Sequence, residues 1–194
     1  MKELTWKVDK QKKTIQILLL FVLAGLIGYA IWSSSDSSPN GQNMTAKEFI
    51  ASQALPEKSK APEFQLPGIT QDTIRFVRSD KPAIINFWAT WCENCKRDMP
   101  LLEKVYKEKG DQVRIIMVHT THMDQKETAL QYINRHGFTF PVGLDLDGHV
   151  SDLYRVKALP QTFFIDQNGR IVHHQIGELT QSVLDQHLPS LLDP

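Results

Sequence analysis

Cysteine is scarce in this chain of 194 residues, which contains only Cys92 and Cys95. Two cysteines cannot form the disulfide framework of a small secreted domain, which uses more cysteines spread along the sequence. They also provide only two of the four ligands of a tetrahedral zinc site. A mixed site with His119 and His122 is conceivable, but these histidines are better explained as ordinary surface or partly packed residues. We therefore predict that the protein holds no metal.

An excess of charge of one sign is also lacking, since 22 basic residues balance 22 acidic ones. Residues 1–13 hold five lysines and two acids, which leaves 17 basic and 20 acidic residues, a net charge of −3, in the rest. No basic stripe remains to follow a phosphate backbone, so the composition argues against nucleic acid as a partner. The hydrophobic fraction of 41% is enough for one packed domain.

Long apolar runs are absent except for one, the 18 residues 15–32, which carry no charge. At about 1.5 Å per residue, this run nearly spans the roughly 30 Å hydrocarbon core of a bilayer. Three lysines lie just before it at 10–13, whereas residues 33–46 contain no lysine or arginine. The positive-inside rule therefore predicts a cytoplasmic N-terminus (1–14), a single transmembrane signal-anchor (15–32) in the cell membrane, and an extracytoplasmic remainder.

Two other interpretations of the apolar run remain open. The small residues Gly28 and Ala30 resemble a signal-peptidase site, but the run is longer than a usual signal-peptide core and continues past them. A buried core helix is disfavoured because the run is apolar on every face. Lipoprotein-style attachment is excluded, since no cysteine occurs before Cys92.

The extracytoplasmic part divides into a polar tether (33–60) and a folded domain (61–194). Within the tether, Thr45 and Glu48 have the spacing of a capping box and predict a short helix over 45–51. Strand and helix patterns alternate in the domain, which predicts a three-layer α/β fold with a hairpin at its start and a mixed sheet. The predicted strands are 64–66, 73–77, 83–89, 113–118, 142–144, 162–165 and 171–176, and the predicted helices are 93–109, 125–136, 150–154 and 181–192.

The two cysteines stand three apart, where a predicted buried strand has ended and a helix begins, and Trp91 precedes them. Disulfide exchange needs a thiolate, which the free N–H groups and dipole of a helix N-terminus stabilise. The spacing brings the second sulfur within bonding distance and shields it. We therefore predict that Cys92 attacks and that Cys95 resolves the mixed disulfide, with no cofactor beyond this redox-active pair. The alternative is an inert disulfide or a pair of buried thiols.

Several motifs in order give the chain a specific resemblance. They are Ala-Pro-Glu-Phe at 61–64, Ile-Asn-Phe-Trp-Ala-Thr-Trp-Cys at 85–92, Leu-Pro-Gln-Thr-Phe-Phe-Ile-Asp at 159–166, and Asn-Gly at 168–169. From residue 61 to the C-terminus the chain resembles the membrane-anchored extracytoplasmic thiol-disulfide oxidoreductases of the TlpA/ResA type. The resemblance implies a thioredoxin-like fold with a central helix insertion.

The resemblance also implies roles for residues outside the dithiol. Pro160, after Leu159, matches a cis-proline that faces the cysteines, where a substrate chain pairs as an added strand. Leu159, Pro160 and Trp91 are thus predicted to bind substrate. Asp98 matches a carboxylate thought to manage protons on the cysteines; its alternative is a solvated helix acid.

The residues at two further places in the sequence can be compared with those of related families. Asn86 stands where ordinary thioredoxins carry a buried aspartate, and this removes their proton acceptor. Glu93 matches a Cys-Glu-x-Cys form of the motif, whereas Asn94 departs from it, since proline is frequent there.

The charges beside the dithiol indicate a direction of exchange. Glu93 and Asp98 place negative charge near the thiolates, and at roughly 6 Å with an effective dielectric of about 20 each costs the anion about 1–3 kcal/mol. The helix dipole opposes this with only about 0.3–1 kcal/mol. Because a less stable thiolate leaves the disulfide relatively more stable, we predict a reducing couple.

The expected function is therefore reduction of disulfides in exported proteins. The resemblance names apocytochrome c, during cytochrome c maturation, or spore-envelope proteins as substrates, and a CcdA/DsbD-type membrane protein as electron donor. An oxidase or isomerase of protein disulfides is the alternative within this chemistry. A peroxiredoxin-type peroxidase lacks its Pro-x-x-x-Thr-x-x-Cys setting here, and a redox-silent metal-delivery module would use wider cysteine spacing.

Overall fold

The computed structural model describes residues 22–26, 29, 44–70, 73–79 and 81–192. The chain divides into two compact units, 1–44 and 45–194, and in the first unit residues 22–26 are helical. Within the described residues no helix is both long and apolar enough to cross a membrane. Most of the predicted span 15–32 lies outside those residues.

The second unit begins with helix α1 (Ala46–Gln53). A capping box closes its first turn, because the Glu48 N–H donates to Thr45 Oγ1 (3.3 Å) and the Thr45 N–H donates to Glu48 Oε2 (2.8 Å). These contacts confirm the helix predicted from the Thr45–Glu48 spacing. No residue of α1 is buried, so the helix is stabilised by its cap and not by a packed face.

Every strand and helix predicted for the domain is present, with ends that differ by no more than one residue. A 3₁₀ turn after the fourth strand was not predicted. In chain order the elements are β1 (Phe64–Leu66), β2 (Ile74–Phe76), β3 (Ala83–Trp88), α2 (Glu93–Lys109), β4 (Arg114–His119), the 3₁₀ turn (Thr121–Met123), α3 (Lys126–His136), β5 (Val142–Leu144), α4 (His149–Leu153), β6 (Gln161–Ile165), β7 (Ile171–Ile176) and α5 (Gln181–Leu192).

The strands form a two-stranded and a five-stranded sheet. β1 and β2 pair as an antiparallel hairpin, and the larger sheet has the order β5-β4-β3-β6-β7. β4 is parallel to both β3 and β5, whereas β6 is antiparallel to both β3 and β7, so the sheet is mixed, as predicted. β3 is central, and all six of its residues are buried because both faces of the sheet are covered.

A hydrophobic core lies on each face of the larger sheet. Alternate residues of β3 point to opposite faces. Ile84 and Trp88 join a core with residues of α2 and α5, whereas Ile85 and Phe87 join a core with the β1–β2 hairpin and α4. The domain therefore has the three-layer α/β architecture predicted from the alternating pattern.

Part of the segment predicted as a tether contacts the domain. Residues 58–60, assigned above to the tether, are hydrogen-bonded to β7 and its preceding turn. The Lys58 N–H donates to the Ile171 carbonyl (2.6 Å), and the Ile171 N–H donates to the Ser59 carbonyl (2.9 Å). These bonds occupy part of an exposed strand edge, which explains why the segment is ordered onto the domain.

One edge of the larger sheet collects the ends of three strands. The carboxyl ends of the parallel strands β3 and β4 meet there, and so does the amino end of β6, because β6 runs in the opposite direction. Thr90–Cys92, Thr120–Asp124 and Leu159–Pro160 lie just beyond these ends and are therefore neighbours.

Candidate active site

The two cysteines lie at the first turn of α2 and form a disulfide, with their Cα atoms 5.2 Å apart. Cys92 is the N-cap residue in an extended conformation, and its Sγ accepts the Cys95 N–H (3.2 Å). Cys92 retains 6% exposure, whereas Cys95 is fully buried. Cys92 is thus the less buried residue of the pair.

The local sequence explains this placement. β3 ends at Trp88, and a turn follows in which the Cys92 N–H donates to the Ala89 carbonyl (3.3 Å). The 17-residue α2 then begins, and its free N–H groups and dipole point at Cys92. An anion on the Cys92 sulfur is stabilised in this position once the disulfide is reduced.

The Leu159–Pro160 peptide bond is cis, as the resemblance implied. The Pro160 carbonyl accepts the Gly177 N–H (2.9 Å), which ties the start of β6 to the residue after β7. Leu159 lies beside Trp91 in the wall of a cavity of about 160 Å³. The structure therefore brings two of the three predicted substrate-binding residues into one cavity, with Pro160 adjacent in sequence.

Trp91 lies at the rim of this cavity. Its side chain is 54% exposed, and its Nε1–H donates to the Met123 carbonyl (3.1 Å) in the 3₁₀ turn. Met123, Val156 and Lys157 line the same cavity. A mostly apolar groove with one cation at its edge is thus present beside the dithiol.

Asp98 is fully buried and is therefore not a solvated helix acid. Its Oδ1 accepts the Leu179 N–H (2.8 Å), and its Oδ2 accepts a weaker bond from Asn86 Nδ2 (3.4 Å). Burial raises the pKa of this carboxyl to about 7, although both hydrogen bonds act in the opposite direction. Three residues after Cys95, Asp98 shares its face of α2.

Asn86 extends this buried polar group into the sheet. Its Nδ2 donates to Thr162 Oγ1 (2.9 Å) on the neighbouring strand β6, as well as to Asp98. Its Oδ1 has no hydrogen-bond partner within the described part of the chain. Asn86, Asp98 and Thr162 therefore form one small polar cluster inside an apolar core.

Glu93, which was predicted to place negative charge near the thiolates, has a cation beside it in the structure. Its carboxylate is exposed and pairs with Lys96 Nζ at 2.6 Å. The hydrogen bond and charge of Lys96 hold the Glu93 pKa below its ordinary value. The neighbouring Asn94 bonds Arg97, which in turn pairs with Glu178 (2.9 Å). The negative charge of Glu93 is thus largely compensated by Lys96.

Sequence reasoning missed the acidic residue Asp124, which follows the 3₁₀ turn. Its carboxylate accepts the N–H (2.6 Å) and the hydroxyl (2.9 Å) of Thr90, two residues before Cys92, and it pairs with His119 Nε2 (3.0 Å). The only signal in the sequence was the mostly polar segment 119–124, interrupted by Met123, after a predicted buried strand.

No metal site is found among the residues that the structure describes: no three histidine, cysteine, aspartate or glutamate side chains are grouped to hold an ion. His119 and His122, considered above for a mixed site, have other contacts. His119 bonds Thr121 and Asp124, and His122 Nδ1 lies 3.4 Å from the Asp145 carbonyl.

Three features together define a class of protein. They are a mixed five-stranded sheet, a disulfide of the Cys-x-x-Cys type at the start of a helix, and a cis-proline at the same sheet edge. The protein is a thiol-disulfide oxidoreductase with a thioredoxin-like fold.

Comparisons with known proteins specify the family. The model of the AhpC/TSA family matches residues 58–174. The thiol-disulfide oxidoreductase ResA of Geobacillus kaustophilus is 31% identical over 188 residues, which cover 94% of this chain and 97% of that protein. The chain therefore belongs to the AhpC/TSA family and, within it, to the thiol-disulfide oxidoreductases of the ResA type.

Solved structures agree with this assignment. The crystal structure of StoA from Bacillus subtilis has a TM-score of 0.59 at 25% identity, covering 66% of this chain and 97% of StoA. A protein from Chlorobium tepidum, assigned as the thiol:disulfide interchange protein DsbE, has a TM-score of 0.65 at 26% identity. That match covers 72% of this chain and 99% of the other.

Proposed function

We propose that this protein is anchored in the cell membrane by residues 15–32 and reduces disulfides in exported proteins through Cys92 and Cys95. The observation that carries the proposal is the unequal burial of the two cysteines at the start of α2. Cys92 retains 6% exposure and Cys95 retains none, and the two sulfurs are close enough to form the disulfide.

The proposed exchange proceeds in two displacements. The Cys92 thiolate attacks one sulfur of a substrate disulfide, and the other substrate sulfur leaves as a thiolate that takes up a proton. Cys95, as a thiolate, then attacks the Cys92 sulfur and releases the second substrate sulfur. Two electrons have passed to the substrate, and the Cys92–Cys95 disulfide remains. A membrane electron donor of the CcdA/DsbD type is proposed to return it to the dithiol.

Asp98 is proposed to accept and return the proton of Cys95. A pKa of about 7 means that the carboxyl exists in both protonation states near neutral pH, as a proton acceptor requires. The position of Asp98 on the buried face of α2, three residues from Cys95, supports this role. Asn86 and Leu179 fix the carboxyl through hydrogen bonds and act on the cysteine only through it.

The reducing direction rests mainly on the surroundings of Cys95. Burial in an apolar core and the nearby Asp98 carboxyl both disfavour a Cys95 thiolate, and this makes the disulfide the relatively more stable form. Glu93, also considered above, contributes less because Lys96 balances its charge. The proposal therefore assigns redox tuning to Asp98 first and to Glu93 second.

The proposed substrates are exported proteins with a disulfide to be opened, such as apocytochrome c or spore-envelope proteins. The test is a Cys95→Ala variant of the full chain in cells, which retains Cys92 but cannot resolve the mixed disulfide. We expect it to accumulate covalent adducts whose partner proteins can be identified after reduction. Cys92→Ala is the matched control and should form none. Equal capture by both variants would contradict the proposal.

The direction is tested by equilibrating the chain with defined ratios of reduced and oxidised glutathione. A reductase should have a potential well below the value of about −120 mV found for strong oxidants. A potential near that value would favour the alternative function, an oxidase or isomerase of protein disulfides.

The membrane anchor is tested separately. The full chain should remain in the membrane fraction at alkaline pH, and protease added outside the cell membrane should remove the domain from 61 onward. Release of the chain by alkaline washing, or a protected domain, would contradict the proposed anchor and its orientation.

A further inference from the structure

The carboxylate of Asp124 is saturated with hydrogen bonds. Its Oδ1 accepts the Thr90 hydroxyl (2.9 Å) and the Gln125 N–H (2.7 Å), and its Oδ2 accepts the Thr90 N–H (2.6 Å) and a bond from His119 Nε2 (3.0 Å). A carboxylate offers about four such positions, so all are used. Burial opposes the charge, but the bonds from Thr90 and His119 together hold the Asp124 pKa below its ordinary value.

His119 is a fixed member of this group, which we call the Asp124 network (Thr90, His119, Thr121, Asp124). Its side chain is fully buried against Trp88, with ring centroids 4.9 Å apart. Burial lowers the His119 pKa, so the ring is neutral at pH 7. The Nε2–H then donates to Asp124, and Nδ1 accepts the Thr121 hydroxyl (2.9 Å).

Further bonds join the same two segments. The Thr120 N–H (3.0 Å) and hydroxyl (3.2 Å) both donate to the Trp88 carbonyl, and the Trp91 indole N–H donates to the Met123 carbonyl. Residues 120–124 are therefore bonded to residues 88–91 along their length. Trp91 and Met123 form part of the cavity wall beside the dithiol.

Cys92 itself is held by a different set of bonds. Its carbonyl accepts the Lys96 N–H (3.2 Å), its Sγ accepts the Cys95 N–H, and its own N–H donates to Ala89. These bonds belong to α2 and to the turn before it, and none involves Asp124. Asp124 therefore makes no direct bond to Cys92, and its bonds reach the segment before Cys92 only at Thr90.

We infer that Asp124 is a positioning residue that holds Trp91 and Met123 as one wall of the substrate groove. It governs how tightly a peptide disulfide or dithiol binds, and not the redox equilibrium of Cys92 and Cys95. The inference rests on the proposed function only in that the peptide partner occupies the cavity beside Cys92.

An Asp124→Asn substitution tests this inference at almost constant volume. The amide has one acceptor oxygen, so its nitrogen must face two of the four donors. When the amide nitrogen takes the place of Oδ2, it faces His119 Nε2 and the Thr90 N–H. His119 can change tautomer so that Nε2 accepts a hydrogen bond from the amide, whereas the Thr90 N–H can only donate. That donor loses its bond, and the tie between the Thr90–Trp91 segment and the turn is weakened.

The experiment measures single-turnover exchange of the full chain with a short synthetic peptide over a range of peptide concentrations. The reduced chain is mixed with the disulfide peptide, and the oxidised chain with the dithiol peptide, so a result is obtained whichever direction the protein favours. For Asp124→Asn we expect the half-saturating peptide concentration to rise about tenfold, because the displaced groove wall binds the peptide less well. A loss of binding alone leaves the limiting rate, and also the equilibrium constant with glutathione, within about twofold of the wild type.

Three further variants make the outcome decisive. Asp111→Asn makes the same chemical change at an exposed site before β4, at the opposite end from His119, and should match the wild type. Thr90→Val removes one donor to Asp124 without changing the side-chain shape and should raise the half-saturating concentration. Thr90→Ser keeps the hydroxyl and should have the half-saturating peptide concentration of the wild type.

Two results would overturn the inference. One is a half-saturating peptide concentration that is the same as in the wild type in both Asp124→Asn and Thr90→Val. The other is a change in the limiting rate or in the glutathione equilibrium with half-saturation unaltered, since Asp124 would then act on the dithiol. Failure of the proposed reductase function gives a different result. The wild-type chain would then react faster in its oxidised form with the dithiol peptide than in its reduced form with the disulfide peptide, and the variants could still be compared with the wild type in that direction.

Discussion

At the scale of single residues, Asp98 shows a conflict between burial and charge. The carboxyl is enclosed in an apolar core, and its two hydrogen bonds do not compensate for lost hydration, so its pKa rises to about 7. In the unfolded chain the pKa is near 3.8. Between these values the folded protein binds a proton that the unfolded chain does not, and stability therefore falls as the pH rises.

This argument predicts the effect of Asp98→Asn on stability. Asparagine keeps an acceptor for the Leu179 N–H but has no proton to lose, so the loss of stability between pH 4 and pH 7, on the order of 4 kcal/mol, should disappear. Urea unfolding at several pH values measures this change in stability. Asp111→Asn is the exposed control and should retain the wild-type pH dependence. An unaltered slope in Asp98→Asn would show that Asp98 is ionised throughout this range.

At the scale of elements, the turn between β6 and β7 shows how local sequence fixes a connection. Asp166 Oδ1 accepts the N–H groups of Asn168 and Arg170, both at 2.8 Å. Gly169 has a φ of +72°, which side chains rarely adopt, and a Cβ there would lie 2.4 Å from the side chain of Arg78. The Asn-Gly pair thus meets both a conformational and a packing demand.

We predict that Gly169→Ala destabilises the domain more than Gly137→Ala does. Gly137, at the end of α3, also has a positive φ of +66°, but nothing lies within 4 Å of a Cβ built on it. Gly137→Ala should therefore cost about 1 kcal/mol for conformation alone. Gly169→Ala adds the displacement of Arg78 and should cost roughly 1–3 kcal/mol more. Thermal or urea unfolding of both variants checks the order, and equal costs would mean that Arg78 moves aside freely.

At the scale of the whole molecule, two buried groups change the stability of the fold in opposite directions as the pH changes. His174 on β7 stacks on Phe163, with ring centroids 4.1 Å apart, and bonds Gln161 Oε1 (3.0 Å). Burial lowers its pKa from 6.5 to about 4. Between these values the unfolded chain binds a proton that the folded protein does not, so stability falls as the pH falls. Asp98 acts in the opposite direction over much of the same range.

The opposing slopes predict a result for His174→Gln. Glutamine retains an N–H donor for Gln161 but does not titrate, so an acid-induced loss on the order of 3 kcal/mol between pH 6.5 and pH 4 should vanish. Stability should therefore change more favourably on acidification in the variant than in the wild type, because the opposing contribution of His174 is removed while that of Asp98 remains. His149→Gln, at an exposed position, is the control measured in the same urea titration. If His174→Gln behaved like that control, His174 would not be the group that opposes Asp98.

Much of the fold was predictable because its signals are local. The buried run of β3 and the apolar face of α2 each extend over several turns or residues, and they set the element ends to within one residue. The turn at Asp166–Arg170 and the capping box of Thr45 and Glu48 are likewise interactions between near neighbours in the sequence. These local interactions are visible in the sequence, although the turn also packs against the distant Arg78.

The candidate site was predictable only in part. Cys92 and Cys95 were found because their spacing and the helix start lie within one short segment. Asp124 was missed because its main partner, Thr90, is 34 residues away in the sequence. The ion pair of Glu93 with Lys96 was not predicted, because a sequence does not show whether Lys96 pairs with Glu93 or extends into solvent.

The sequence by itself therefore determined the strands, the helices and the dithiol at the start of α2, since each follows from neighbours a few residues apart. Only the tertiary structure decided how these residues behave. Burial, and not the sequence position, raises the pKa of Asp98 to about 7, and the meeting of β3, β4 and β6 at one sheet edge joins Asp124 to the segment before Cys92. Desolvation and contacts between distant segments exist only once the chain has folded, so neither could be predicted from residues that are neighbours in the sequence.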